Sequence, residues 1–146
     1  RHDPEGYGHY KFRLAMGTAK INSAANFPYQ ILSQYRGHTR PDAVLEAAWK
    51  GLPNYGETDQ KVLVVADGSG SMYQMCGQGV QAIDVANSLA IYFSERLEGE
   101  FKNSYITFSE YPQVVKFGDA ASASFDKYKD FEERGRHFKK LIEELK

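Results

Sequence analysis

Residues 61–72 read KVLVVADGSGSM. After the lysine come Val62, Leu63, Val64, Val65 and Ala66, an apolar run rich in β-branched side chains with no polar alternation. A run of this kind predicts a strand over residues 61–66 that is covered on both faces, as an interior strand of an α/β sheet would be. Asp67-Gly68-Ser69-Gly70-Ser71 follows at once. That loop falls at the carboxyl end of the strand, the edge where open α/β sheets hold their ligands.

Downstream, Val80, Ile83, Ala86, Ala90, Phe93 and Leu97 recur at helical spacing until Gly99, which predicts a helix of about five turns. Residues 104–109 (SYITFS) read as a second strand, Glu110, Tyr111 and Pro112 as a turn, and residues 113–117 as a third strand. Strand, helix and strand in this length form a right-handed crossover, so the second strand lies parallel to the first and both end on one edge. A short turn containing proline sends the third strand back antiparallel, at the edge of the sheet.

Upstream, residues 1–10 carry Pro4, Gly6 and Gly8 and read as a loosely packed lead-in. Residues 11–36 turn helical, with Leu14, Ala15 and Ile21, then Ile31, Leu32 and Tyr35, and Pro28 separates two short helices. Asp42 caps a third helix whose apolar face is Val44, Leu45, Ala48 and Trp49, ended by Gly51, Pro53 and Asn54. Trp49 is expected to anchor a core. From Phe125 to the end the pattern is amphipathic, with Phe131, Phe138, Leu141 and Leu145 on one side. The division expected is a helical segment over residues 1–58, an α/β core over 59–118 and an amphipathic helical tail over 119–146.

The chain has 146 residues, 42% of them apolar and 14% aromatic, enough for one domain with a real core. A formal net charge of -1 gives no general attraction to nucleic acid. The lone Cys76 forms no intrachain disulfide and reads as a loop or buried thiol, which favours a cytoplasmic setting. No apolar run approaches the roughly 18 to 20 residues that cross a bilayer, so no membrane association is expected. A start without methionine and an end inside a helical pattern read as those of a fragment.

The chemistry of the loop follows from its oxygens. A hard cation such as Mg²⁺ takes oxygen ligands, and Asp67, Ser69 and Ser71 offer one carboxylate and two hydroxyls at alternating positions. Gly68 and Gly70 are expected to let the backbone curl so that these side chains converge. The competing structural role is a strand-to-helix turn in which the same side chains bond free amides at the helix start. Spacing alone leaves both open.

DGSGSM after VLVVA resembles the metal-ion-dependent adhesion site of von Willebrand factor A domains, whose motif is Asp-x-Ser-x-Ser. With WKGLPNY before the strand, VANSLAIYFSERLEG in the helix and YITFSEYPQVVKF after it, the chain resembles the A-type domain of a Ro-like (TROVE-related) intracellular family. The resemblance implies a Rossmann-like sheet with helices on both faces, preceded by helices, and metal-assisted binding in place of catalysis. It assigns Asp67, Ser69 and Ser71 as ligands of Mg²⁺, or of Mn²⁺ or Ca²⁺. The motif's later threonine and aspartate have no counterpart after Phe117, so the C-terminal part of the domain is expected to be missing. Thr39 stands in the wrong chain order to replace the threonine, whereas Ser109 and Glu110, at the end of the second strand, are candidates for the rim of the site.

Three classes of function are compatible with these features. The first is a binding module whose bound ion recruits an acidic group of a protein partner, with residues 73–79 as a rim. The second, implied by the Ro-like resemblance, is RNA binding, for which Lys11, Arg13, Lys20, Arg36 and Arg40 with nearby tyrosines offer phosphate and stacking contacts. The third is Mg²⁺-dependent phosphate hydrolysis. The loop matches neither Gly-x-Ser-x-Gly nor Gly-x-Gly-x-x-Gly, and no histidine is placed by sequence to activate Ser69 or Ser71, which weighs against an enzyme.

Overall fold

The computed structural model describes residues 3–35, 40–77, 79–108 and 111–117. The expected tail over residues 119–146 lies outside them. Helix α1 spans Pro4–Ala15, α2 Pro28–Leu32, α3 Ala43–Lys50 and α4 Ala82–Arg96. The strands are β1 Val64–Asp67, β2 Ser104–Phe108 and β3 Gln113–Lys116. The chain is thus α/β in class.

The sheet has the order β1-β2-β3. β1 and β2 run parallel, with Val64 opposite Tyr105 and Asp67 opposite Phe108. β3 returns antiparallel, with Val115 opposite Tyr105. The crossover through α4 and the edge position of β3 are as the sequence predicts. One face of the sheet, carrying Ala66, Tyr105 and Val115, is buried beneath α4, which in turn packs against α2. Phe117 closes the end of that face, its ring 5.4 Å from Tyr105. A single buried cluster runs from Ile31, Leu32 and Tyr35 through Leu45 and Trp49 to Ala90, Ile91, Tyr105 and Phe117. Helical segment and sheet therefore share a core.

Four expectations are corrected. Residues 4–10 belong to α1 and are not a loose lead-in: the Asp3 carboxylate accepts from the Gly6 amide at 3.0 Å and Pro4 supplies the first helical φ. The same helix ends at Ala15, so Ile21 lies beyond it. Pro28 does separate the two helices, as the first residue of α2, where its missing N–H costs nothing. α4 begins at Ala82, because Val80 is drawn into a tight turn whose amide donates to Gly77 and whose carbonyl accepts from Cys76.

The fourth correction concerns β1. Its ladder starts at Val64, and Val65 is 57% exposed, so the strand is buried on one face only. Among the described residues β1 is the edge of the sheet. A run of valines reports affinity for a layer and not the number of layers present, which is why the sequence overstates its burial.

Three junctions hold the helices in place. Asp42 caps α3 by accepting from the amides of Val44 and Leu45, and it also receives Lys11 of α1 at 2.9 Å. Burial alone would raise the Asp42 carboxyl. The hydrogen bonds from Lys11, Leu45 and Val44 and the ammonium charge outweigh that effect and hold it below its ordinary value. Between α3 and α4, the Trp49 indole donates to Glu95 at 2.7 Å and Arg96 lies 4.0 Å from the Tyr92 ring centroid. The Tyr92 hydroxyl donates to the Pro53 carbonyl and accepts from the Tyr55 amide at 2.9 Å, which fixes the path from α3 toward β1. Gly51 follows α3 at a close approach of the chain, where a Cβ would come within 2.8 Å of the Ile21 carbonyl.

Candidate functional site

β1 delivers Asp67 to the carboxyl edge of the sheet, half-buried, as its last residue. The ladder to β2 continues one step further, because the Gly68 amide donates to the Phe108 carbonyl at 3.2 Å. The loop therefore leaves the sheet from a fixed point. Asp67 Oδ1 accepts from the Ser69 amide at 2.8 Å, a closed turn that brings the chain back over the strand end. Asp67 Oδ2 has no partner among the described residues.

Ser69 then caps a short 3₁₀ turn, Gly70–Tyr73, in an extended conformation, and the Met72 amide donates to its carbonyl at 3.0 Å. A 3₁₀ turn places Ser71 next to Ser69, and their hydroxyl oxygens lie 3.1 Å apart. Ser69 is half-buried and Ser71 exposed. The structure thus brings the two hydroxyls together on the loop that Asp67 opens. It also gives Asp67 the amide-bonding role foreseen as the structural alternative, through one of its two carboxylate oxygens.

Gly68 and Gly70 do not act as expected. Neither has a positive φ, and a Cβ at either position would meet nothing within 4 Å. The curl is produced by the Asp67 turn and the 3₁₀ bonds. The positive φ values fall later, at Gly77 (100°) and Gly79 (77°), where the chain doubles back. There Met75 bridges Gln81 and the Ala82 amide donates to Gln74, so the expected rim over residues 73–79 forms a small closed excursion before α4. Met75 is 60% exposed on it, and Cys76 is an exposed loop thiol.

Two residues near the loop support it: Asp84, which the sequence reads as a solvent-facing or helix-dipole residue and not as a ligand, and Tyr73. Asp84 accepts from the Gln81 amide at 3.2 Å and so caps α4, consistent with an acidic group in the first turn and not with a ligand. Tyr73 sits half-buried below the loop, its carbonyl accepting from the Gln81 side chain at 3.0 Å. Burial, and then the charge of Asp84, raise its phenol above the ordinary value. The signal for the cap was present, an acidic residue three positions after a polar one, but the excursion that sets α4 back to Ala82 was not readable from spacing.

Ser109 and Glu110 lie outside the described residues, as do Arg36 and Thr39. Of the other cations considered for RNA, Lys11 is engaged by Asp42 and Arg13 donates to the Thr18 carbonyl at 3.4 Å, while Lys20 and Arg40 are exposed. No three His, Cys, Asp or Glu side chains gather into a group among the described residues. No helix among the described residues is long and apolar enough to cross a membrane.

No family model matches the chain, and no solved structure matches it. Over 110 residues it is 34% identical to uncharacterized protein L728 of Acanthamoeba polyphaga mimivirus. That alignment takes in 73% of this chain but only 18% of the viral protein, so the chain spans under a fifth of the relative's length.

Proposed function

We propose that the chain carries a von Willebrand factor A-like binding module of Rossmann type, in which the Asp67 loop holds a divalent cation that recruits an acidic group of a protein partner. The observation that carries this is the 3.1 Å separation of the Ser69 and Ser71 hydroxyl oxygens on the loop opened by Asp67. Neighbouring ligands of an octahedral ion with bonds of about 2.1 Å stand about 3.0 Å apart, so the spacing fits two adjacent positions in a Mg²⁺ shell. Asp67 supplies the charge through Oδ2. When bound, the ion would supply a positive centre for a carboxylate. The chain's own residues would orient it, with the Asp67-to-Ser69 turn fixing the carboxylate and the 3₁₀ turn fixing both hydroxyls.

One carboxylate and two hydroxyls make a weak site. Affinity in the millimolar range is expected unless a partner's carboxylate or further loop residues complete the shell. Titration with Mn²⁺, followed by electron paramagnetic resonance of the free ion, tests this. The wild type should bind one ion, Asp67→Ala should abolish binding, and Ser71→Ala should weaken it about tenfold. Binding left unchanged in Asp67→Ala, or no binding by the wild type at several millimolar, removes the proposal.

A further inference from the structure

The face of the sheet turned away from α4 is apolar across its width. Val65 of β1, Ile106 of β2 and Val114 of β3 are consecutive register partners on it. Val65 is 57% exposed and Val114 72%, and Phe108, two residues on from Ile106, is 62% exposed. Ile106 is half-buried, as expected of a side chain flanked by two valines. Such a contiguous patch marks a surface that something covers.

We infer that this face is the docking site of the chain's own residues 125–146, laid across it as an amphipathic helix. Tyr128, Phe131, Phe138, Leu141 and Leu145 fall at separations of three, four and seven, one apolar stripe, while Glu132, Arg136, Lys140 and Glu144 fall on other sides of the same periodicity. Three strands about 4.8 Å apart present a strip about 10 Å wide, the diameter of a helix; a helix over residues 125–146 would be about 33 Å long, so about three of its roughly six turns would cover strands of four or five residues. The connection is also available. Phe117 is anchored at the end of β3, its amide donating to the Asn103 carbonyl at 2.8 Å, and the small residues 118–124 (GDAASAS) can reach more than about 20 Å from it. The mixed charges of the stripe's polar side suit it to remain in water above an apolar face.

Disulfide trapping in the full chain, with Cys76→Ser to remove the native thiol, tests the inference. Val114→Cys is combined in turn with Phe131→Cys, Phe138→Cys or Leu145→Cys, and with Glu133→Cys or Lys140→Cys from the polar side. Mild oxidation should give an intramolecular bond in at least one stripe variant, at least fivefold faster than in either polar-side variant, with the product monomeric on sizing. Equal rates from both sides of the helix overturn it. So does bonding only between molecules, which would make the face an interface between copies. As a second measurement, Phe138→Asp with Leu141→Asp should raise the fluorescence of a bound hydrophobic dye several-fold while Lys139→Asp with Lys140→Asp leaves it unchanged; the same signal from both pairs counts against docking.

Discussion

Asp67 closes the loop through one carboxylate oxygen, which accepts from the Ser69 amide; under the proposed function the other would face the ion. Because the turn and not glycine sets the loop's path, Gly70→Ala is expected to fold normally and to change stability by less than about 1 kcal/mol, with any gain arising from the unfolded chain. Chemical denaturation checks this. The neighbouring Tyr73 gives a second local prediction. Its phenol is raised by burial and by Asp84, so the step of an ultraviolet titration that Tyr73→Phe removes should come late, and Asp84→Asn should bring it partway back. A raised phenol means that the folded state keeps its proton longer than the unfolded one. Its contribution to stability is complete below the unfolded value of about 10 and is lost as pH rises through the folded value.

Among the elements, α1 and α3 are joined by the Lys11–Asp42 ion pair. Asp42→Ala removes the cap of α3 and releases Lys11, and should cost about 1 to 2 kcal/mol, most of it from the cap. The Asp42 carboxyl is held low, so this stabilisation is present above the unfolded value near 4 and fades as pH falls through the lower folded one. Amide exchange in α1 and α3 between neutral pH and pH of about 3 should show both helices loosening, and in Asp42→Ala the pH effect on α3 should be smaller. Capping of α3 by Asp42 was legible because the signal is local, a capping residue directly before an apolar face. Asp3 and Pro4 carried the same signal for α1, but Gly6 and Gly8 masked it by breaking the expected pattern. The crossover and the returning third strand followed from period and length. The burial of β1 and the excursion between Ser71 and Ala82 did not, since one depends on how many layers surround a strand and the other on bonds such as Ala82 to Gln74 that no spacing encodes. Of the candidate site, the three oxygen-bearing residues and their edge were readable; the way Asp67 divides its two oxygens was not.

Taken together, the helices and the sheet have one core, and Trp49 reports on the junction between them. Thermal melts followed by Trp49 fluorescence and by far-ultraviolet circular dichroism should therefore coincide. Ile91, fully buried beneath both layers, should cost about 2 to 5 kcal/mol when cut to alanine and lower both transitions equally. Two separated transitions would mean that residues on either side of position 58 unfold as independent units. The ladder bond from Gly68 to Phe108 has a mechanical consequence for this arrangement. A tug on the loop along the strand direction loads β1 and β2 in shear, so the bonds between them resist together instead of parting one after another as in a zipper, and an anchorage built there would hold against traction better than a loop hung from a single strand.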